Sequence, residues 1–375
     1  MIACEKDEPG QSASSKTFYR RNSIRDLQRR TSKTMPPTAD DPHAARLRLQ
    51  RLDTTDARAA YARDVSRGLC ATPKQLFPKY FYDELGSLLF DAICLLPEYY
   101  LTRAENEILA RHADEIVSAV AAPGDAPLAL LELGSGSATK TRRIIEAILK
   151  RQAELLYLPV DISVSALEAS AHALLQSYPA LRIEAYAGDY DAALAHFGRE
   201  RASGGGRLLA LFLGSNIGNF DRDGARLFLL SLRGVLRDGD ALLLGADLKK
   251  DRATLEAAYD DALGVTAAFN LNQLVRLNRE FGADFDPRAF RHVAAYHEAE
   301  GRVEIYIESR RAQIVSLPKL NLQISFAAGE RVHTENSYKY AREELDALAA
   351  QTGFACARRW LDEAGRFSSN LFVAR

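Results

Sequence analysis

The chain has 375 residues, 47% hydrophobic and 26% charged, enough to bury a substantial core in one large domain or two smaller ones. Its 49 Lys and Arg nearly balance 50 Asp and Glu, so the formal charge of −1 creates no overall field toward nucleic acid or an anionic membrane. No apolar run reaches the roughly 20 residues that span a bilayer, no signal core opens the chain, and four cysteines without C-x-x-C spacing speak against a disulfide framework.

Residues 1 to about 50 are rich in Ser, Lys, Arg, Thr, Pro and Asp and lack apolar periodicity, so a disordered tail over 1–54 is expected. The basic run Arg20–Lys33 reads as a solvated face of that tail. Met35, the only methionine besides Met1, marks a second candidate start. A helix is predicted from Asp56 to Cys70. The Pro/Tyr/Phe-rich stretch that follows, TPKQLFPKYFYDELGSLLFDAICLLPEYYLTRAENEIL, has an aromatic density that suits either a packed helical cap or a pocket wall.

From Leu128 the pattern alternates. LALLEL, LLYLPVD, RIEAYAGD, RLLALFLGS and DALLLGAD read as strands, with helices over Thr139–Gln152, Val164–Gln176, a short stretch after Asp189, and Asp221–Val235. Continuous apolar strands interleaved with helices predict a parallel sheet covered on both faces. The Gly-rich link at Ser203–Gly206 reads as a surface loop. After Asp247 come helices over Arg252–Leu263 and Ala267–Arg279. Antiparallel-looking runs follow, then a helix over Tyr338–Gln351 and a closing hairpin in ACARRWLDEAGRFSSNLFVAR. The expected fold is therefore α/β, a Rossmann-like sheet with an inserted α+β lobe. The predicted division is a tail (1–54), a substrate lobe (55–104 with 248–338) and a cofactor domain (105–247 with 339–375).

LALLELGSGSATK, from Leu128 to Lys140, is a strand running into a glycine turn and a helix, the arrangement that presents backbone N–H groups to a nucleotide-like ligand. Gly134 and Gly136 are followed by Ser137 and Ala138, so the third glycine of the dinucleotide fingerprint is missing and no pyrophosphate is indicated. Glu132 and Asp161 put carboxylates where ribose hydroxyls would lie, which favours S-adenosylmethionine (SAM) over a dinucleotide. Asp189 and Tyr190 suit its adenine, with Tyr190 against the ring. Lys140, placed in the first helical turn, would reach the methionyl carboxylate. The seven histidines form no H-x-x-x-H or H-E-x-x-H pair, and no metal site is expected.

Several strings occur together in order: LPEYYLTRAENEIL, ELGSGSATKTR, PVDIS, LFLGSNIGNF, AAYDDALGVTAAFN and HTENSYKY. With them the chain, from about Leu69 to its end, resembles the histidine-specific SAM-dependent methyltransferases of ergothioneine biosynthesis. The resemblance implies that Gly134, Lys140, Asp161, Asp189 and Tyr190 bind SAM. It implies that Asn219 and Tyr259 hold the amino-acid end of L-histidine, that Glu335 and Ser337 bind its imidazole, and that Tyr99 and Tyr82 line the same pocket. The chain departs from the family at Leu101, where proline is frequent, and at Ile305, where methionine is frequent; the second change bears on pocket shape beside the imidazole.

The residues themselves agree with these roles. Positions i and i+2 of a strand share a face, so Glu335 and Ser337 can serve one flat ring, a carboxylate taking an N–H and a hydroxyl meeting the other nitrogen. Asp260 and Asp261, beside Tyr259, read as helix-surface charges. The expected reaction is threefold methylation of the α-nitrogen to hercynine, with Tyr82 the candidate group that orients the amine or relays its proton. The expected setting is cytoplasmic and monomeric, without nucleic acid or membrane partners. Competing readings are a methyltransferase for another amine such as an indole amino acid, and a SAM-binding sensor without turnover. A nicotinamide dehydrogenase is disfavoured by the glycine pattern.

Overall fold

The computed structural model describes residues 45–52, 57–121, 127–201 and 206–375. Most of the expected tail, the Arg20–Lys33 run, Met35 and residues 203–205 of the glycine link lie outside the described residues.

A short strand, β1 (Leu47–Arg51), precedes helices α1 (Ala57–Cys70), α2 (Glu84–Ile93) and α3 (Leu101–Val120). Strands and helices then alternate through β2 (Ala129–Leu133), α4 (Arg142–Leu149), β3 (Leu155–Asp161), α5 (Val164–Ser177), β4 (Leu181–Ala187), α6 (Tyr190–Arg201), β5 (Leu208–Phe212), α7 (Arg222–Val235) and β6 (Ala241–Asp247). Helices α8 (Arg252–Tyr259) and α9 (Val265–Phe281) lead into β7 (Phe290–His297), β8 (Arg302–Ser309), β9 (Gln313–Leu317), β10 (Leu322–Phe326) and β11 (Arg331–Tyr338). Helix α10 (Arg342–Gln351) and the hairpin β12 (Phe354–Leu361) and β13 (Phe367–Ala374) close the chain.

The main sheet runs β1-β4-β3-β2-β5-β6-β13-β12. It is parallel from β1 to β6, and β13 joins β6 antiparallel with Leu371 opposite Leu243. Strands β5 and β6 are buried along their whole length because apolar side chains cover both faces, as a sheet sandwiched between helices requires. Helix starts follow local chemistry: Ser163 accepts from Ala166 N at 3.3 Å, Asp221 from Gly224 N at 2.7 Å, and Asp251 from Thr254 N at 2.8 Å. Strand order reverses between β2 and β5, so a crevice opens at the carboxyl ends of these strands, where open α/β sheets place ligands. A second sheet, β7-β8-β11, is antiparallel, and β9 pairs with β10. A separate apolar cluster joins Tyr61, Val65 and Leu69 of α1 to Leu274, Leu277 and Phe281 of α9 and to Ile307, Leu317 and Phe326.

Four expectations are corrected. Leu47–Arg51, assigned to the structureless tail, pairs in parallel with β4, and its Leu47 and Leu49 pack against the core. Helix α4 begins at Arg142, so Lys140 sits in the turn before it rather than in its first turn. Residues 338–341 are extended rather than helical: Lys339 N bonds Gly301 O at 2.7 Å and Tyr340 N bonds Asp247 O at 3.0 Å, which holds the chain against β6 until α10 starts. Finally, Asp261 is buried and caps α9, accepting from Val265 N at 2.9 Å and Thr266 N at 2.7 Å; α8 therefore stops at Tyr259.

Candidate active site

The carboxyl ends of β2, β3 and β4 carry the residues predicted for the cofactor. Gly134 has φ +77°, and a Cβ there would stand 2.7 Å from the Tyr190 hydroxyl and 3.0 Å from the Asn216 amide nitrogen, so only glycine fits the turn. Asp161 holds that turn in place, accepting from Gly136 N and from Ser163 N, both at 2.9 Å. Each of its oxygens keeps a lone pair for a ligand hydroxyl. The buried Ser135 hydroxyl, in the same turn, has no hydrogen-bond partner. A glycine cradle, an aspartate beside it and an orphaned hydroxyl suit a ligand bearing a ribose.

Three predicted details differ. Glu132 faces inward: Thr141 Oγ1 donates to it at 2.6 Å and the Tyr157 hydroxyl donates to its other oxygen, and burial pushes its carboxyl up to about 7. It is a strut under the turn rather than a ribose contact. Lys140 pairs with the fully buried Glu105 of α3, whose oxygens also accept from Gly214 N at 2.9 and 3.0 Å. Tyr190 packs its ring among Phe212 and Phe228, at centroid distances of 5.4 and 5.7 Å, and turns its hydroxyl to Gly134. Asp189 is exposed and caps α6 through Ala192 N at 2.9 Å.

One cavity of about 50 Å³ gathers Tyr82, Tyr99, Asn219, Tyr259, Glu335 and Ser337. Asn216 lines it too and touches the Gly134 turn, so the two halves of the site adjoin. Asn219 ends a tight turn over Asn216–Asn219 and is exposed at the cavity rim. That turn packs directly on β11, because a Cβ on Gly218 would come within 2.6 Å of Tyr338 O. Aromatic rings meet edge-on around the cavity: Tyr82 and Phe90 at 5.6 Å, Phe90 and Tyr99 at 6.2 Å, Tyr99 and Tyr259 at 6.1 Å. Burial, then the Glu335 charge, raises the Tyr82 phenol well above its ordinary value, so it stays an O–H at neutral pH. Burial pushes Glu335 itself up to about 7, with Lys339 pulling the other way.

Sequence reasoning missed what lies behind these side chains. Lys339 is fully buried; its ammonium reaches Tyr259 Oη at 2.7 Å, Ser337 Oγ at 2.9 Å and Asp247 Oδ2 at 2.9 Å. Asp247 also accepts from Tyr100 at 2.9 Å and from Lys250 at 2.6 Å. A signal existed: Lys339 sits between two tyrosines and continues the alternation Glu335, Ser337. Thr266 and Asn270, on α9, were also missed; both line the cavity, and Asn270 Oδ1 is buried without a partner.

Comparison with known proteins agrees in family. Residues 61–374 match the family described as "Histidine-specific methyltransferase, SAM-dependent". The chain is 46% identical over 312 residues to the "Histidine N-alpha-methyltransferase" of Mycobacterium tuberculosis, covering 83% of this chain and 94% of that one. It is 44% identical over 324 residues to the protein of the same description from Mycolicibacterium smegmatis, covering 86% and 97%. It is 29% identical over 294 residues to "Ergothioneine biosynthesis protein 1" of Schizosaccharomyces pombe, covering 78% of this chain and 37% of that one.

Proposed function

The chain belongs to the histidine-specific SAM-dependent methyltransferases, and from that premise we propose that it methylates the α-amino group of L-histidine three times to give hercynine, the opening step of ergothioneine biosynthesis. Its sheet is that of a class I SAM methyltransferase, with the antiparallel strands β7 to β11 inserted between β6 and the closing hairpin. The carrying observation is that a single cavity collects Tyr82, Tyr99, Asn219, Tyr259, Glu335 and Ser337 beside the Gly134 turn.

Bound SAM supplies an activated methyl group on a sulfonium whose leaving thioether is neutral. Gly134 and the orphaned Ser135 hydroxyl would cradle it, Asp161 would take its ribose hydroxyls, and Lys140 with Glu105 would face its charged methionyl end. Asp189 and Tyr190 would lie at its adenine end. Asn219, at the rim, and Tyr259 orient the amino-acid end of histidine, while Glu335 and Ser337 meet its ring. The amine must be neutral to attack; the ammonium of a free amino acid, stabilised by its own carboxylate, titrates above the roughly 7.7–8.0 of a peptide terminus, so one proton must leave to solvent before each of the three transfers. Tyr82 keeps its proton and orients the nitrogen by hydrogen bonding rather than acting as a phenolate base. As methyl groups replace N–H donors, the faces of the aromatic walls hold the growing cation by about 0.5–2 kcal/mol. Most of the acceleration comes from positioning, which can supply roughly 7–11 kcal/mol.

The substrate lobe is α1, α2 and residues 248–338, and the cofactor domain is the rest of the sheet. The enzyme works in the cytoplasm as a monomer on free histidine. Mass spectrometry of histidine incubated with the protein and SAM tests the activity: three successive methyl additions are expected, and unmodified histidine overturns the reading.

A further inference from the structure

Two backbone carbonyls decide how the Asn270 amide stands in the cavity. Asn270 of α9 is buried, and its Nδ2 lies 2.9 Å from Tyr306 O of β8 and 2.9 Å from His292 Nδ1 of β7. His292 Nε2 in turn lies 2.7 Å from Tyr259 O at the end of α8. A carbonyl oxygen accepts and never donates. Tyr306 O therefore requires the nitrogen of the amide on its side, and Tyr259 O requires the proton of the His292 ring on Nε2. His292 Nδ1 is then bare and takes the second proton of Nδ2. Turning the amide over would set Oδ1 against Tyr306 O, and a proton on His292 Nδ1 would meet Nδ2–H. The His292 side chain is only 2% exposed, and burial lowers its pKa from the ordinary value, against the pull of Tyr259 O, Asp260 and Asp261. The ring is therefore neutral at working pH.

Both donors of the amide are used, and Oδ1 is left over, buried and without a partner, on a residue that lines the cavity. Strand register places it. Tyr306 follows Ile305, which pairs with Glu335 on β11 and with Ala294 on β7. Ile305 and Glu335 both line the cavity, and His292 shares the face of Ala294 two residues on. The amide, tied to His292, stands on the β7 side of Ile305, and Glu335 stands on its β11 side. Asn219 is at the far end, since its turn packs on Tyr338, about 10 Å farther along β11.

We propose that Asn270 is a specificity-determining residue whose Oδ1 accepts a hydrogen bond from a ring N–H of the substrate, with His292 as the positioning residue that keeps the amide turned that way. This rests on histidine being the substrate. Imidazole carries its proton on either ring nitrogen. Glu335 and Asn270 together set an acceptor on each side of the ring, so whichever nitrogen bears the proton is met. A ring without an N–H gains nothing from Asn270.

The test measures dissociation constants by calorimetry, with S-adenosylhomocysteine bound, for three ligands. Histidine and triazolylalanine both carry a ring N–H, and the triazole ring stays neutral across the working pH range; thiazol-4-ylalanine has no ring N–H. Asn270→Leu is expected to weaken histidine and triazolylalanine by roughly three- to tenfold, the loss of one hydrogen bond, and thiazol-4-ylalanine by less than about twofold. Equal losses for all three ligands, or no loss for histidine, overturn the proposal. His292→Leu should reproduce the selective loss. His292→Gln should restore the wild-type pattern, because its amide can accept from Asn270 Nδ2 and donate to Tyr259 O. An unaltered pattern in His292→Leu overturns the positioning role. Should the variants not fold, diffraction from the wild-type complex with S-adenosylhomocysteine and histidine decides. Asn270 Oδ1 within about 3.2 Å of a ring nitrogen is expected, and a separation beyond about 4 Å overturns the contact. A wild-type protein that neither binds nor methylates histidine defeats the substrate assignment and this proposal together. Methylated histidine with equal losses defeats this proposal alone.

Discussion

Glu335 is the side chain on which substrate choice should depend most. It lies in the cavity with its carboxyl pushed up to about 7 by burial. Since the acceptor is lost on protonation, kcat/KM for histidine should fall as pH drops below about 7. Glu335→Gln should remove this limb from a triazolylalanine profile, and an unaltered limb would reassign it to another group. Glu335→Ala should lower kcat/KM for histidine by roughly 10- to 100-fold, the loss of a charge-assisted bond worth about 1.5–3 kcal/mol, with S-adenosylhomocysteine affinity intact; unchanged histidine kinetics would remove it from the site. Asp161 is expected to behave in the opposite way. Its carboxylate orders the Gly136 turn and is proposed to take the ribose hydroxyls as well, so Asp161→Ala should weaken S-adenosylhomocysteine binding by at least tenfold in calorimetry. An undiminished affinity would leave Asp161 as a turn support only.

At the scale of elements, two small pieces of backbone do work that composition hides. The turn carrying Asn219 lies on β11, which carries Glu335 and Ser337, with no room for a Cβ at Gly218. Gly218→Ala should push the turn off the strand, lowering Tm and raising KM for histidine together. A stability loss without the kinetic change would separate the turn from substrate binding. Strand β1 covers the edge of β4 and half-buries Leu47 and Leu49. A chain beginning at residue 53 should be less stable than one beginning at residue 45 by about 2–4 kcal/mol, with kcat retained in the folded fraction. Equal melting temperatures by calorimetry would mean that the edge needs no cover. That strand was hard to read because its alternation, Leu47 and Leu49 against Arg48 and Gln50, lasts only five residues at the end of a polar stretch. Pairing with β4 and contact with the core hold them there.

For the whole molecule, sequence and tertiary structure decided different things. The run of apolar strands and helices from Leu128 to Asp247 determined a parallel sheet, because burial on both faces demands continuous hydrophobicity that few other structures tolerate. The incomplete glycine fingerprint pointed away from a dinucleotide, and the strings around Tyr99, Asn219, Tyr259 and Glu335 named the family. Local pattern failed where partners are distant in sequence. Glu132 looked like a ribose ligand until Tyr157 and Thr141 were seen to occupy it. Asp261 looked like a surface charge but caps α9. Residues 338–341 have the composition of a helix start, yet bonds to Gly301 and Asp247 keep them extended. That extension is what delivers Lys339 to Tyr259, Ser337 and Asp247. The sequence by itself determined the sheet and supplied the chemical groups. Only the tertiary structure decided which groups are already satisfied by one another, because a hydrogen bond between residues 259 and 339 leaves no trace in the local spacing of either.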